Sequence, residues 1–222
     1  DVKRLNENWE EVNVSNDYID IVYSSVVWKD SYVFDVEVAN LSYPDNATAY
    51  RAYIDSDLNS STGCSWRRGA EYAVECFYYP ENKSFEGHLL RFNESKGGYG
   101  GWDRIEYLDC KVDFEKDTVE FAYPFSLSKL NVMFEGHFDF DGDGDVTGMY
   151  DAYDYSPEEG HLSIDTCGDG ICQSFESCSI CSKDCGSCVS EGDVQDSQGD
   201  VKRLNENWEE VNVSNDYIDI VY

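Results

Sequence analysis

The stretch VVWKDSYVFDVEV, residues 26–38, decides how the rest of the chain is read. Tyr32, Phe34, Val36 and Val38 fall on every second position, with Asp35 and Glu37 among the residues between them. That is the period of a strand with one buried and one wet face. The Lys29-Asp30-Ser31 triplet has turn chemistry, so Val26-Val27-Trp28 reads as the end of the preceding strand. Working outward, strands are expected at residues 49–54, 71–79, 85–92, 104–112, 118–123 and 131–138, separated by Asp, Asn, Ser and Gly. Helix is expected for at most a turn or two, at residues 124–130. Seven or eight short strands at this spacing describe an all-β chain, an antiparallel β-sandwich. From Thr166 the composition changes to Cys, Gly, Asp and Ser, which marks a small disulfide-rich module after the sandwich.

The last 23 of the 222 residues, DVKRLNENWEEVNVSNDYIDIVY at positions 200–222, repeat residues 1–23 letter for letter. The expected plan is an N-terminal linker and candidate donor strand (1–23), the sandwich (24–165), the disulfide-knotted module (166–189), a polar linker (190–199) and the copy (200–222). The formal net charge is −30, and without the copy 40 acidic residues still face 14 basic ones. Such a field repels nucleic acid and anionic membranes and attracts cations. No apolar run is long enough to span a bilayer.

Six of the nine cysteines, Cys167, Cys172, Cys178, Cys181, Cys185 and Cys188, fall within 22 residues. A density of this kind belongs to an oxidising compartment. The four-thiolate alternative, Cys178 to Cys188 around zinc or an iron–sulfur cluster, lacks the ferredoxin spacing. Cys76 and Cys110 are the expected additional bridge, between strands, with Cys64 left over. Asn-x-Ser/Thr acceptors occur at Asn13, Asn40, Asn46, Asn59, Asn82 and Asn93, and again at Asn212. Both features point to an extracellular, cell-surface protein carrying N-linked glycans.

Two acidic loops read as calcium sites. Asp139, Asp141, Asp143 and Asp145 alternate along the chain with Gly144 at the sixth position, the pattern of a loop that wraps hard oxygen ligands around one ion. The twelfth position is Tyr150 rather than glutamate, so Asp151 or Asp154 is the expected far ligand. In the second loop Asp55, Asp57 and Asn59 alternate in the same way, and Asn59 is also a glycosylation acceptor.

The string Cys167-Gly-Asp-Gly-Ile-Cys172, then Glu176, Cys178-Ser-Ile-Cys181 and Asp184-Cys185-Gly-Ser-Cys188 resembles a disulfide-knotted, calcium-binding module of secreted and cell-surface proteins of archaea and bacteria. The resemblance implies Asp169, Glu176 and Asp184 as ligands. The sandwich likewise resembles a calcium-binding β-rich domain of microbial surface glycoproteins, through Ala52-Tyr53-Ile54-Asp55-Ser56-Asp57-Leu58-Asn59, Thr62-Gly63 and Gly69-Ala70-Glu71-Tyr72. That similarity implies Glu71 as a further ligand of the Asp55 loop.

The copied segment carries the functional expectation. Ile19, Ile21 and Tyr23 alternate with polar or smaller residues up to Ser24-Ser25, where a bulge is expected. The segment is therefore expected to add as a strand to a neighbouring repeat or identical subunit, with Ile218, Ile220 and Tyr222 of the copy filling its pockets. Open head-to-tail contacts of this kind make a filament, a homopolymer. No GxSxG, HExxH, phosphate-binding loop or dinucleotide fingerprint occurs, and His88, His137 and His161 lie far apart in sequence, so no enzyme is expected. The alternative is a carbohydrate-binding surface module, in which Trp9, Trp28, Trp66 and Trp102 supply a stacking platform.

Overall fold

Tyr32, Phe34, Val36 and Val38 are buried and the residues between them only partly so, as one covered face demands. The structure, a computed structural model, describes residues 2–6, 8–29, 31–96, 101–124, 127, 129–144, 146, 151–168, 170–172, 176–187, 202–204 and 210–212. It divides into two units, Asp1–Cys167 and Gly168–Tyr222. The strands of the first unit are β1 (Lys3–Leu5), β2 (Glu11–Asn13), β3 (Ile21–Trp28), β4 (Tyr32–Val38), β5 (Thr48–Asp55), β6 (Tyr72–Tyr79), β7 (Ser84–Phe92), β8 (Trp102–Leu108), β9 (Cys110–Asp113), β10 (Thr118–Tyr123), β11 (Lys129–Phe138), β12 (Ala152–Ser156) and β13 (Leu162–Asp165).

All pairings within these sheets are antiparallel. The larger sheet runs β2-β1-β12-β11-β5-β6-β7-β8, with β13 also on β11, and the smaller runs β3-β4-β10-β9. The core contains Phe34, Val36, Val119 and Phe121 of the smaller sheet together with Tyr50, Ile54, Val74, Val132 and Phe134 of the larger. Phe34 has Phe121 at 6.0 Å and Phe134 at 6.1 Å, so one ring joins the two layers. Residues 104–112 are not one strand. The chain leaves the larger sheet after Leu108 and joins the smaller at Cys110, and a disulfide from Cys110 to Cys76 of β6, with Cα atoms 5.8 Å apart, ties the sheets at that crossing.

The described residues up to 23 belong to the first unit together with the sandwich strands. β1 pairs with β2 and meets β12 at Lys3↔Tyr153. Val2 and Ile19 belong to the core, and Ile19 is fully buried. A Cβ on Gly136 of β11 would stand 2.9 Å from the Ile19 Cβ and 2.7 Å from its carbonyl oxygen, so glycine is what lets Ile19 lie against that strand. The expected alternation holds only in part, because Ile21 is half-buried and Tyr23 is exposed. The register against β4 shifts between Ile21 and Tyr23, earlier than the expected slip at Ser24-Ser25. Lys129 and Leu130, expected in a helical turn, open β11 instead.

In the second unit a short helix, α1 (Ser182–Cys185), carries Cys185, bridged to Cys172 with Cα atoms 4.8 Å apart. Cys178 and Cys181 are disulfide-bonded too, as is Cys167 at the end of the first unit. β14 (Lys202–Leu204) and β15 (Glu210–Asn212) pair in the register of β1 and β2. Cys188, the linker 190–199 and Ile218, Ile220 and Tyr222 lie outside the described residues. Among the described residues no helix is long and apolar enough to cross a membrane.

Candidate functional site

β5 ends on Asp55 and β6 begins at Tyr72, so the loop between them brings Asp55, Asp57 and Glu71 together with a carboxylate oxygen of each within 4.8 Å of the others. Asp55 is buried and Asp57 exposed. The Asn59 backbone N–H donates to Asp55 Oδ1 (3.1 Å) and Asp57 Oδ1 (2.9 Å), and Asn131 Nδ2 donates to Asp55 Oδ2 (3.1 Å). The Ser56 N–H and hydroxyl both donate to Glu71 Oε2, while the Thr62 hydroxyl lies 2.9 Å from Asp57 Oδ2 and 3.1 Å from Glu71 Oε1. Asn59 Oδ1 accepts the Ser61 N–H at 3.1 Å. Gly69, at φ +90°, comes so near the Ser60 Cα (2.5 Å from an ideal Cβ) that a side chain there would spring the loop open.

The second cluster is built between β11 and β12. Asp139, Asp141 and Asp151 place oxygens within 4.8 Å of one another, and Asp139 and Asp151 are buried. The Gly142 and Gly144 N–H groups donate to the two Asp139 oxygens (2.6 and 2.9 Å), and the Phe140 N–H donates to Asp151 Oδ1 (3.0 Å). Asp143 stands outside this trio, and Asp145 lies outside the described residues. Of the two far ligands considered, Asp151 joins the loop. Asp154 instead accepts the Ile21 N–H at 2.8 Å, and burial pushes its carboxyl up. Both clusters offer only hard oxygen donors, three carboxylates each, and can hold a metal ion.

In the second unit Asp184 accepts the backbone N–H groups of Gly168 and Gly170, the latter at 3.0 Å, and Glu176 is buried. Asp169 lies outside the described residues. Among the glycan acceptors Asn13, Asn40, Asn59 and Asn82 are exposed. Asn46 Nδ2 donates to the Asp139 carbonyl (2.9 Å) and Asn93 Nδ2 to Asp103 (2.7 Å), so a glycan on either would displace a hydrogen bond. The side chain of Asn212 lies outside the described ones.

A third feature escaped the sequence reading. The register sets His88, Glu75, Arg51 and Glu135 side by side in one row across β7, β6, β5 and β11. Arg51 Nε donates to Glu75 Oε2 at 2.6 Å, and His88 Nδ1 lies 3.0 Å from Glu75 Oε1. Glu135, with no exposed surface, accepts from Tyr53 Oη (2.7 Å) and from Arg67 Nη2 (2.6 Å), Arg67 being carried by the 3₁₀ turn Ser65–Arg67. Burial alone would raise the Glu135 carboxyl, but Arg67, His137 and Arg51 outweigh it and hold it far below the usual range. Glu75 is held down in the same way by Arg51 and His88. Burial pushes the Tyr53 phenol up to about 12, Glu135 adding to the rise, so it stays a neutral donor. The only sequence signal was Arg51, a charge among the apolar residues of AYRAYI, and its partners are 24 and 84 positions away by number.

Above this row opens a cavity of about 310 Å³, lined by Trp66 and Trp102 together with Arg51, Glu75 and His88. The four tryptophans therefore do not form one platform. Trp28 packs edge-on against Tyr32, Trp9 sits exposed in a turn, and only Trp66 and Trp102 share a site. Cys64, the free cysteine among the described residues, lines the same cavity, and burial pushes its thiol up. Comparison with protein-family models, with curated proteins and with solved structures finds no match.

Proposed function

We propose that the chain is a structural subunit of an extracellular filament or surface layer, joined head to tail through the repeated 23 residues and stabilised by calcium, disulfides and N-glycans. The observation that carries this reading is the identity of residues 1–23 and 200–222, taken together with the place the first copy occupies. Val2 and Ile19 fill the core, Gly136 makes room for Ile19, and Asp154 holds the Ile21 N–H. One unit has one such slot, and two identical segments fit it equally well. Exchange of a unit's own segment for a neighbour's copy keeps every contact, so linker reach and local concentration decide between a closed monomer and an open chain. A covalent array with a period of 199 residues uses the same slot in each repeat.

Calcium fits the reading because two clusters of three carboxylates repel one another unless a cation is shared among them. Four exposed glycan acceptors and several disulfides fit an oxidising, extracellular setting.

The test is negative-stain electron microscopy of the native material beside a variant with Ile218→Asp and Ile220→Asp. These substitutions leave the first copy and its slot untouched. Filaments with a repeat of one unit, lost in the variant, are expected. Unchanged filaments in the variant, or monodisperse single particles in the native sample, would overturn strand exchange.

A further inference from the structure

We propose that the cavity on the outer face of the larger sheet binds a neutral pyranose unit. This goes beyond the filament reading and stands or falls separately from it. Two observations locate the site. The cavity is walled by indoles and floored by a buried polar row, and His88, 3% exposed, has an Nε2 with no hydrogen-bond partner, the nearest carboxylate being Glu86 at 3.7 Å. A buried ring nitrogen without a partner is costly unless a ligand or water completes it.

The walls are set before any ligand arrives. Trp66 is 55% exposed, an unusual state for an indole, on a turn closed by Arg68 in the left-handed region (φ 54°) and pinned by the Arg68 guanidinium on the Glu158 carbonyl (2.9 Å). Trp102 is fixed from the other side by Tyr53 and Phe92, each with ring centres 5.4 Å away.

Charge selects the ligand class. A chain with net charge −30 disfavours anions, and the charges of Arg51 and Arg67 are already matched by Glu75 and Glu135. A cation would meet Arg51, Arg67 and Arg104, three of the chain's seven arginines. A wholly apolar ligand would leave His88 Nε2 without a partner. A neutral pyranose satisfies both surfaces: its C–H face lies on an indole, and a hydroxyl, which can donate or accept, completes His88 Nε2 in either tautomer. The sugar comes either from a saccharide in the surroundings or from an N-glycan of a neighbouring chain.

The experiment titrates the full glycosylated chain with the methyl pyranosides of glucose, galactose, mannose and N-acetylglucosamine, followed by indole fluorescence and by saturation-transfer NMR. At least one is expected to bind saturably with Kd on the order of 1 mM. Trp66→Ala, at an exposed position, is expected to weaken it about 3- to 10-fold without lowering the melting temperature, and His88→Gln to change which sugar binds best. Tighter binding after enzymatic deglycosylation identifies a neighbour's glycan as the occupant, and unchanged binding an external one; both support the site. No saturable binding by any of the four sugars, before or after deglycosylation, or binding that Trp66→Ala leaves intact, would overturn the proposal.

Discussion

Residues 1–23 and 200–222 are one sequence in two settings. Both make the same hairpin in the same register, Lys3↔Asn13 in the first and Lys202↔Asn212 in the second. In the first copy the reason is local: Asn6 Oδ1 accepts the N–H groups of Asn8 and Glu10, and Trp9 takes the positive φ that the turn requires. The first copy is also held by other parts of the chain, by Tyr153 and Asp154 of β12 and Gly136 of β11. Turn chemistry repeats wherever the letters repeat, whereas burial of Ile19 needs a slot that each unit offers once.

The largest effect should come from setting the two copies against each other. Ile19→Asp removes roughly 1.5–3 kcal/mol of burial and places a charge in the core without a partner, so the first unit should unfold. In the dilute, unassembled chain, where a unit's own first copy fills the slot, Ile218→Asp should leave the denaturation midpoint of that unit unchanged. Equal loss of stability in the two variants, read by urea unfolding, would erase the distinction between the copies.

The next effect tests β11 from its other side. Glu135→Ala leaves Arg51 and Arg67 buried and short of a carboxylate, a loss of about 3–5 kcal/mol, and undocking of the first copy should follow. The same row sets the acid limb. Glu75 and Glu135 have folded-state pKa values below their unfolded ones, so their contribution is full above about 4.5 and is lost as the pH falls through the folded values. Circular dichroism during acid titration should show a plateau from neutrality to that point and a fall below it. A fall beginning above pH 6 would mean that the row is not the weak point.

Removal of divalent ions comes third. The Asp139 cluster closes the connection between β11 and β12, the two strands on which the first copy rests, so excess chelator should lower the melting temperature, by the equivalent of about 2.7 kcal/mol per site if calcium stood at a hundred times Kd. Identical melting curves with and without chelator would dismiss both clusters as ion sites. The smallest effect is expected from Gly136→Ala, whose methyl group meets Ile19 and should cost about 1–3 kcal/mol by forcing the first copy off β11. Hydrogen exchange at the Ile21 amide should rise, while that of β14 and β15 stays the same.

Much of the strand order in sequence was legible because alternation is a local property: residues 32–38 and 118–123 each carry their own record of which side is covered, whereas β11 is buried on both faces and shows none. The acidic trios were legible in part, since Asp139 and Asp141, and Asp55 and Asp57, lie two apart on one loop. Asp151 and Asp154 could not be told apart in sequence, because nothing near Asp154 discloses that the Ile21 amide lies 2.8 Å from its carboxylate. The crossing at Asp109 was equally hidden, since strands in different sheets can share one unbroken polar and apolar rhythm.

By itself, then, the sequence determined what short-range chemistry can determine: the covered faces of the alternating strands, the acidic loops and the clustering of cysteines. The tertiary structure alone decided which strands are neighbours, and with them the row His88–Glu75–Arg51–Glu135, the placing of Trp66 beside Trp102, and the slot that takes Ile19 over Gly136. The physical reason is that a cross-strand pair is fixed by register between segments many residues apart. No residue encodes its partner's position until the two sheets have closed on a common core.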